Sequence, residues 1–449
     1  MMADIVVIGL GPGGEDVAGK LAEAGLDVVG IDRGLVGGEC PYFGCVPTKM
    51  MIRAANLLAE ARRIEGVAGH ADVKPDWEPV AQRIRDEATD DWNDQVAVDR
   101  LVGKGARFVR GSARIDGPHR VAVDDQVIET DKIVIATGTQ PAIPPIPGLD
   151  GVPFWTNHEA VQAKELPRSL VVLGGGAIGM EIGQAMSRFG VAVTIVEGLD
   201  RLVPLEEPES SALIADIFHR ENIAVRTGAK VTAVERAGDL IAVVLDDGSK
   251  ITGETLLVAT GRRAHLDELG IGTIGLDDSA RTIPVDERCR AADGVWALGD
   301  VTGAGPFTHI SMYQARLVRE DILGHPAEPA SYAALPRVTF TDPEIGSVGL
   351  TEAQAREQNL DVRVGLSTVQ SSARGWIHKT GNEGIIKLVE DATRGVLVGA
   401  TSAGPGGGEV LAMLTLAVHA EIPVRTLRTM IYAYPTFHRG IEDALRALA

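Results

Sequence analysis

The sequence predicts an α/β protein built from two Rossmann-like nucleotide-binding domains and a C-terminal α+β domain. Three observations predict it. A strand, glycine turn, helix and second strand occur in that order twice, over residues 4–32 and 169–197. A similar strand closes each unit, I-V-I-A-T-G at 133–138 and L-L-V-A-T-G at 256–261. From residue 334 the pattern changes to short strands, then helices around 408–420 and 438–448.

The first unit opens with the apolar run Ile5-Val6-Val7-Ile8, suited to a strand buried on both faces. Gly9, Gly11 and Gly14 follow at G-x-G-x-x-G spacing, and the second strand ends in Asp32. The second unit repeats this with Gly174, Gly176, Gly179 and Glu197, and in both the acid stands 23 residues after the first glycine. A lone glycine motif is weak evidence. After a strand, before a helix and with the acid at that distance, it is the dinucleotide fingerprint. The glycines let a pyrophosphate approach the positive end of the helix, and the acid accepts ribose hydroxyls. The turns after the closing strands add Thr137, Gly138 and Gly261 as further cofactor-binding candidates. Glu197 repels a 2′-phosphate, so NADH is expected over NADPH, although the nearby Arg201 leaves NADPH open.

Between the units lies G-G-E-C-P-Y-F-G-C-V-P-T-K, residues 37–49, followed by an amphipathic run from Met50. Pro47 and Thr48 suit the first turn of a helix. Cys45 would then lie at a helix amino terminus, where a thiolate is stabilised. Three cysteines in 449 residues cannot build a disulfide scaffold. No second Cys or His cluster completes a zinc site, so no metal is expected. Cys289 stands alone and reads as structural.

Composition narrows the class of partner. The formal net charge is −19, and so acidic a surface repels phosphate backbones and anionic lipid. Nucleic acid and membranes are therefore not expected partners. No apolar run approaches a bilayer span, and the amino terminus lacks a signal peptide's basic start and long apolar stretch. A cytoplasmic location is expected. Glycine, at 53 of 449 residues, exceeds the roughly 7% of average proteins, as tight turns and close ligand approach require.

With these residues in view, the chain resembles the FAD-dependent pyridine nucleotide-disulfide oxidoreductases, the group of dihydrolipoamide dehydrogenase, glutathione reductase and mercuric reductase. The resemblance rests on the paired glycine motifs, on C-x-x-x-x-C followed by Pro and Lys, and on two further segments. These are G-V-W-A-L-G-D at 294–300 and P-R-V-T-F-T-D-P-E-I-G-S-V-G-L-T-E-A at 336–353. It implies FAD and a nicotinamide cofactor, a homodimer, and a redox-active disulfide between Cys40 and Cys45. Cys45 would face the flavin and Cys40 would attack the substrate. Lys49 would sit near flavin N5 and pair with Glu181, while Asp300 would bind the ribityl chain. The helix starting near Thr308 and His309 would aim its amino terminus at the flavin; His309 itself reads mainly as packing or capping.

One departure matters. The family's disulfide reductases carry a C-terminal His-Pro-Thr with a glutamate five residues after the histidine, an acid–base pair for the interchange thiol. Here Tyr434 stands in the histidine's place and Arg439 in the glutamate's. A phenol titrating near 10 is a poor base at neutral pH. His438, oriented by Glu442 one turn later, is a candidate replacement.

The expected organisation is an FAD domain over 1–149, an NAD(P) domain over 150–264, a return to the FAD domain over 265–333, and a dimerisation domain over 334–449. A helical hairpin is expected at about 48–103, with the charged stretch 83–100 as its solvated face, and a strand-rich section at 106–135. The leading functional reading is electron transfer from NAD(P)H through flavin to the Cys40–Cys45 disulfide. The expected partner is a small-molecule or small-thiol substrate, and the acceptor is an unusual disulfide or a mixed thiol species, neither lipoamide nor glutathione disulfide. The alternatives are a quinone or diaphorase-type reductase acting directly from the flavin and a non-catalytic redox sensor.

Overall fold

Each glycine-rich turn sits where a parallel strand hands over to a helix. In the computed structural model, which describes residues 1–448, contacts group the chain into two units. The first comprises residues 1–47, 81–142 and 261–331; the second comprises 48–80, 143–260 and 332–449.

The first unit is organised by an eight-stranded sheet. Met2–Ile8 lies at its middle, paired in parallel with Val28–Asp32 on one side and Gln126–Ile135 on the other. Ile5, Val6 and Val7 are fully buried, as a central parallel strand covered on both faces requires. One face packs the helices Pro12–Glu23, Gln95–Gly103 and Thr308–Ile322 around Val17, Leu21, Leu101 and Leu317. The other face is covered by the antiparallel strands Ala113–Ile115 and Arg120–Val123 and by Leu266, Ile271 and Ile283. The expected strand-rich section is therefore present.

The second unit contains three sheets. The second glycine unit forms a parallel sheet in the order Ala224–Arg226, Ala192–Val196, Ser169–Leu173, Thr255–Val258. A three-stranded antiparallel sheet, Val231–Ala237, Leu240–Leu245 and Lys250–Gly253, packs on it through Val243 and Leu245. The C-terminal strands form a five-stranded antiparallel sheet with Val396–Gly404 at its centre. Leu411, Leu414, Ile441 and Leu445, from helices Gly407–His419 and Gly440–Arg446, close its core.

The expected hairpin over 48–103 is corrected. Its first arm is the helix Cys45–Arg62. The second arm is broken: Glu78–Arg83 runs into a π-helical turn, Ile84–Ala88, and helix resumes only at Gln95–Gly103. Asp90, Asp91 and Trp92 all take positive φ, which no α-helix accommodates. The stretch 83–100 is therefore not one solvated helix face.

Candidate active site

The two glycine turns are the same device built twice. Gly9 and Gly174 have φ of 91° and 109°, and a Cβ on either would lie 2.4 or 2.3 Å from a backbone carbonyl, of Ala136 or Ala259. A Cβ on Gly14 or Gly179 would strike the carbonyl of Gly9 or Gly174 at 2.0 or 2.2 Å. The middle glycines differ: a Cβ on Gly11 or Gly176 meets nothing within 4 Å. Both cap helices, Pro12–Glu23 and Ala177–Arg188, without a side-chain cap. Open space thus lies beside first-turn N–H groups that need acceptors, as a dinucleotide pyrophosphate requires.

The acids are held in matching ways. Asp32 accepts the Leu10 N–H on Oδ2 at 2.6 Å and the Gly34 N–H on Oδ1 at 2.7 Å. Glu197 accepts the Gly175 N–H on Oε2 at 2.6 Å and the Leu199 N–H on Oε1 at 2.8 Å. Each oxygen keeps a second lone pair for a ribose hydroxyl. Burial raises the Asp32 carboxyl, against the lowering effect of these N–H groups and of Arg110 and Arg33. Arg201 is committed elsewhere: its guanidinium donates to the carbonyls of Val203, Pro204 and Glu206 and to Ser211 Oγ.

The cysteine segment begins with the one-turn helix Glu39–Tyr42, which carries Cys40, and Cys45 then opens the helix Cys45–Arg62. Both residues are free thiols; Cys45 is exposed and Cys40 half-buried. The hydrogen bond between Cys40 and Cys45, followed by burial, pushes the Cys40 thiol far above the ordinary range. Thr308 Oγ1, at the start of helix Thr308–Ile322, lies 3.4 Å from Cys45 Sγ. His309 stacks on Phe307, with ring centroids 5.1 Å apart.

Asp300 sits in a network that sequence reasoning missed. Thr139 Oγ1 donates to Asp300 Oδ2 at 2.8 Å, and Arg262 donates to Thr139 Oγ1 at 2.9 Å. Arg262 also pairs with Glu39, the residue before Cys40, at 3.3 Å. Burial raises the Asp300 carboxyl, while Thr139 and Arg262 pull it down. Thr139 and Asp300 are 161 positions apart, so no local pattern could have linked them. Thr137 and Gly138 follow the strand Gln126–Ile135 after Ala136, and the Gly261 carbonyl accepts the Ala142 N–H at 2.9 Å.

In the second unit, Lys49 Nζ lies 2.7 Å from Glu181 Oε2, and Glu181 Oε1 accepts the Phe340 N–H at 2.8 Å. The Lys49 ammonium also stands 4.5 Å from the centre of the Phe340 ring. Phe340 went unnoticed in the sequence. The C-terminal candidates have other neighbours than the expected ones. Arg439 stacks over Tyr434 at 5.5 Å, and Tyr434 is 69% exposed. Glu442 pairs with Arg439 at 3.0 Å and Arg446 at 3.6 Å rather than orienting His438. The His438 ring instead lies 6.3 Å from that of Tyr432.

Two dinucleotide cradles in one chain call for a flavin and a nicotinamide, and a thiol pair at a helix head gives electrons a further station. The class is a flavoprotein oxidoreductase. The chain belongs to the pyridine nucleotide-disulphide oxidoreductase family, whose model matches residues 3–315, and that family's dimerisation domain matches residues 335–445.

Relatives span almost the whole chain. It is 34% identical to a dihydrolipoyl dehydrogenase from Thermus scotoductus, covering 99% of this chain and 97% of the relative. It is 33% identical to a mercuric reductase from Streptomyces lividans, covering 98% and 95%. A solved Cu(II) complex of the HOCl-induced flavoprotein disulfide reductase RclA from Escherichia coli superposes with a TM-score of 0.88 at 27% identity, over 99% of both chains. LpdA from Mycobacterium tuberculosis gives 0.87 at 25% identity, over 98% of both. The chain is therefore an enzyme of a family that uses FAD and NAD(P)H, and its dimerisation domain supports a homodimer. Among the described residues, no helix is long and apolar enough to cross a membrane.

Proposed function

We propose that this enzyme takes electrons from NADH and delivers them through the Cys40–Cys45 pair to a small disulfide or mixed-thiol acceptor other than lipoamide or glutathione disulfide. One observation carries the reading. Cys45 heads the helix Cys45–Arg62 with the Cys40 thiol hydrogen-bonded to it. The helix end favours negative charge at Cys45, while the hydrogen bond to Cys45 and burial disfavour it at Cys40. The two sulfurs thus have different tasks: Cys45 holds negative charge and Cys40 is the thiol offered to an acceptor.

Gly11, the end of helix Pro12–Glu23, Asp32 and Asp300 would hold FAD. Gly176, the end of helix Ala177–Arg188 and Glu197 would hold NADH. When bound, the flavin supplies the two-electron relay between nicotinamide and thiols. Lys49, anchored by Glu181, keeps a positive charge ready to offset the negative charge of reduction. The locked Arg201 leaves Glu197 unopposed, which favours NADH.

Tyr434 is the acid–base group of this reading, with Arg439 over its ring. A phenol donates a proton to a leaving sulfur but is a weak base near pH 7. Hence the usual lipoamide and glutathione substrates are poor acceptors. Trp376, Ile431 and Tyr434 project from the C-terminal domain at 78%, 96% and 69% exposure, apolar surface that a second subunit would cover. The reading places the enzyme in the cytoplasm, where thiols stay reduced.

Cys40→Ser and Cys45→Ser test it. Each is expected to lose at least about a hundredfold in turnover of disulfide acceptors, while NADH-driven dye reduction persists. If both variants turn over acceptors at the wild-type rate, the cysteines are spectators and a quinone-type reduction from the flavin takes over.

A further inference from the structure

Residues 89–94 belong to neither nucleotide cradle, yet their backbone is unusual. After the π-turn Ile84–Ala88, three consecutive non-glycine residues occupy the left-handed region: Asp90, Asp91 and Trp92, with φ of 48°, 54° and 56°. Such residues are strained in this region, so the run persists only because its surroundings hold it. Buried Thr89 donates through Oγ1 to the carbonyl of Ile84 at 3.1 Å and accepts the Trp92 N–H at 3.4 Å. The Asp91 N–H donates to the Arg85 carbonyl at 2.7 Å.

This turn directs two side chains onto the cysteine segment. Trp92 Nε1 donates to the Tyr42 carbonyl at 3.2 Å, at the end of the one-turn helix bearing Cys40. Carbonyls at a helix end have no partner within the helix, so the indole supplies one from outside. Asp94 Oδ2 accepts the Val36 N–H at 2.7 Å and is braced by Arg110 at 2.5 Å. Two residues of one turn therefore grip the backbone on both sides of Cys40, at positions 36 and 42.

We propose that Trp92 and Asp94 form a clamp that positions Cys40 against Cys45 and thereby sets the disulfide–dithiol equilibrium of the pair. The inference rests on the redox reading of those cysteines given above. Reduction breaks the S–S bond: the hydride of NADH supplies two electrons and one proton, NAD⁺ leaves, and the pair becomes the Cys40 thiol and the Cys45 thiolate. A segment gripped on both sides keeps Cys40 within reach of Cys45 in either state. Closing the disulfide then costs less chain entropy, and the clamp favours the oxidised form. Trp92 and Asp94 touch neither sulfur; they are positioning residues.

The test is equilibration of the holoenzyme with dithiothreitol redox buffers, reading the fraction of Cys40–Cys45 disulfide by alkylation and mass spectrometry. Trp92→Phe keeps the aromatic ring but loses the N–H donor. Without that donor the Cys40 segment is freer in the dithiol, closing the disulfide costs more chain entropy, and the equilibrium is expected to shift up to about fivefold toward the dithiol. Trp92→His retains a ring N–H and recovers part of that shift, while NADH-to-dye turnover of W92F stays at the wild-type rate. Should W92F not retain flavin, Asp94→Asn carries the same measurement. An equilibrium in the variant equal to that of wild type overturns the clamp alone. A wild-type pair that NADH leaves oxidised overturns the redox reading, and the clamp with it.

Discussion

Lys49 and Glu181 are 132 positions apart in sequence, yet their Nζ and Oε2 atoms are 2.7 Å apart. Glu181 is only 6% exposed, its other oxygen is held by the Phe340 N–H, and Lys49 is 35% exposed. A carboxylate so placed is oriented from two sides, and it fixes the lysine charge where it lies.

Removing that carboxylate should leave a half-buried ammonium with only the Phe340 ring for support. Glu181→Gln is expected to destabilise the fold by about 1–2 kcal/mol, below the cost of a fully buried pair because Lys49 still reaches water. It should also slow flavin reduction by NADH about tenfold. Urea unfolding and anaerobic stopped-flow absorbance measure the two effects separately. Unchanged reduction would remove Lys49 from the electrostatics of the site.

Cofactor choice turns on Glu197 and Arg201. With the arginine tied to four acceptors, a 2′-phosphate would meet an unopposed carboxylate. NADH is expected to exceed NADPH in kcat/KM by at least about tenfold, and Glu197→Ala should narrow that ratio. Steady-state kinetics with both nucleotides decides it. An NADPH preference in the wild type would place the phosphate contact elsewhere.

Cys289 should be inert where Cys45 reacts. It is fully buried, and burial, together with Asp286 and Asp321, pushes its thiol up to about 12 from an ordinary 9.0. In NADH-reduced enzyme at pH 8, iodoacetamide is expected to label the exposed Cys45 and to spare Cys289. The unfolded thiol ionises near pH 9 and the folded one only near 12. The unfolded chain therefore binds fewer protons between those values, and stability falls as pH rises through them. Denaturant midpoints of wild type and Cys289→Ala between pH 8 and 10.5 should converge as the alkaline limb steepens for the wild type.

Tyr434 should matter to acceptors alone. Tyr434→Phe is expected to lower disulfide turnover about tenfold with dye reduction unchanged. Parallel assays with the two acceptor types give the comparison, and equal losses in both would make Tyr434 a packing residue.

The nucleotide cradles are legible in sequence because their chemistry is local: strand, glycines, helix and acid lie within one short stretch. Cys45 at a helix head is legible for the same reason, since Pro47 and Thr48 mark the start. What sequence leaves hidden is long-range. The Thr139–Asp300–Arg262 network, the Phe340 support of Glu181 and the grip of Trp92 on Tyr42 each join distant segments with no spacing rule. The stretch 83–100 misleads for a different reason. Its charges follow a helical face, but Thr89 bonds back to the Ile84 and Arg85 carbonyls, and the chain leaves the helix through three left-handed residues. Tyr434 and Arg439 are read from the sequence by their positions against the resemblance, while only the structure pairs Glu442 with Arg439 and Arg446.

The central claim is that the Cys40–Cys45 pair lies on the electron path, and an anaerobic titration of the yellow holoenzyme with NADH tests it most directly. After two electrons the visible spectrum should show a long-wavelength charge-transfer band from the Cys45 thiolate to oxidised flavin, absent in Cys45→Ser. Bleaching straight to reduced flavin, with no such band in the wild type, would contradict the account.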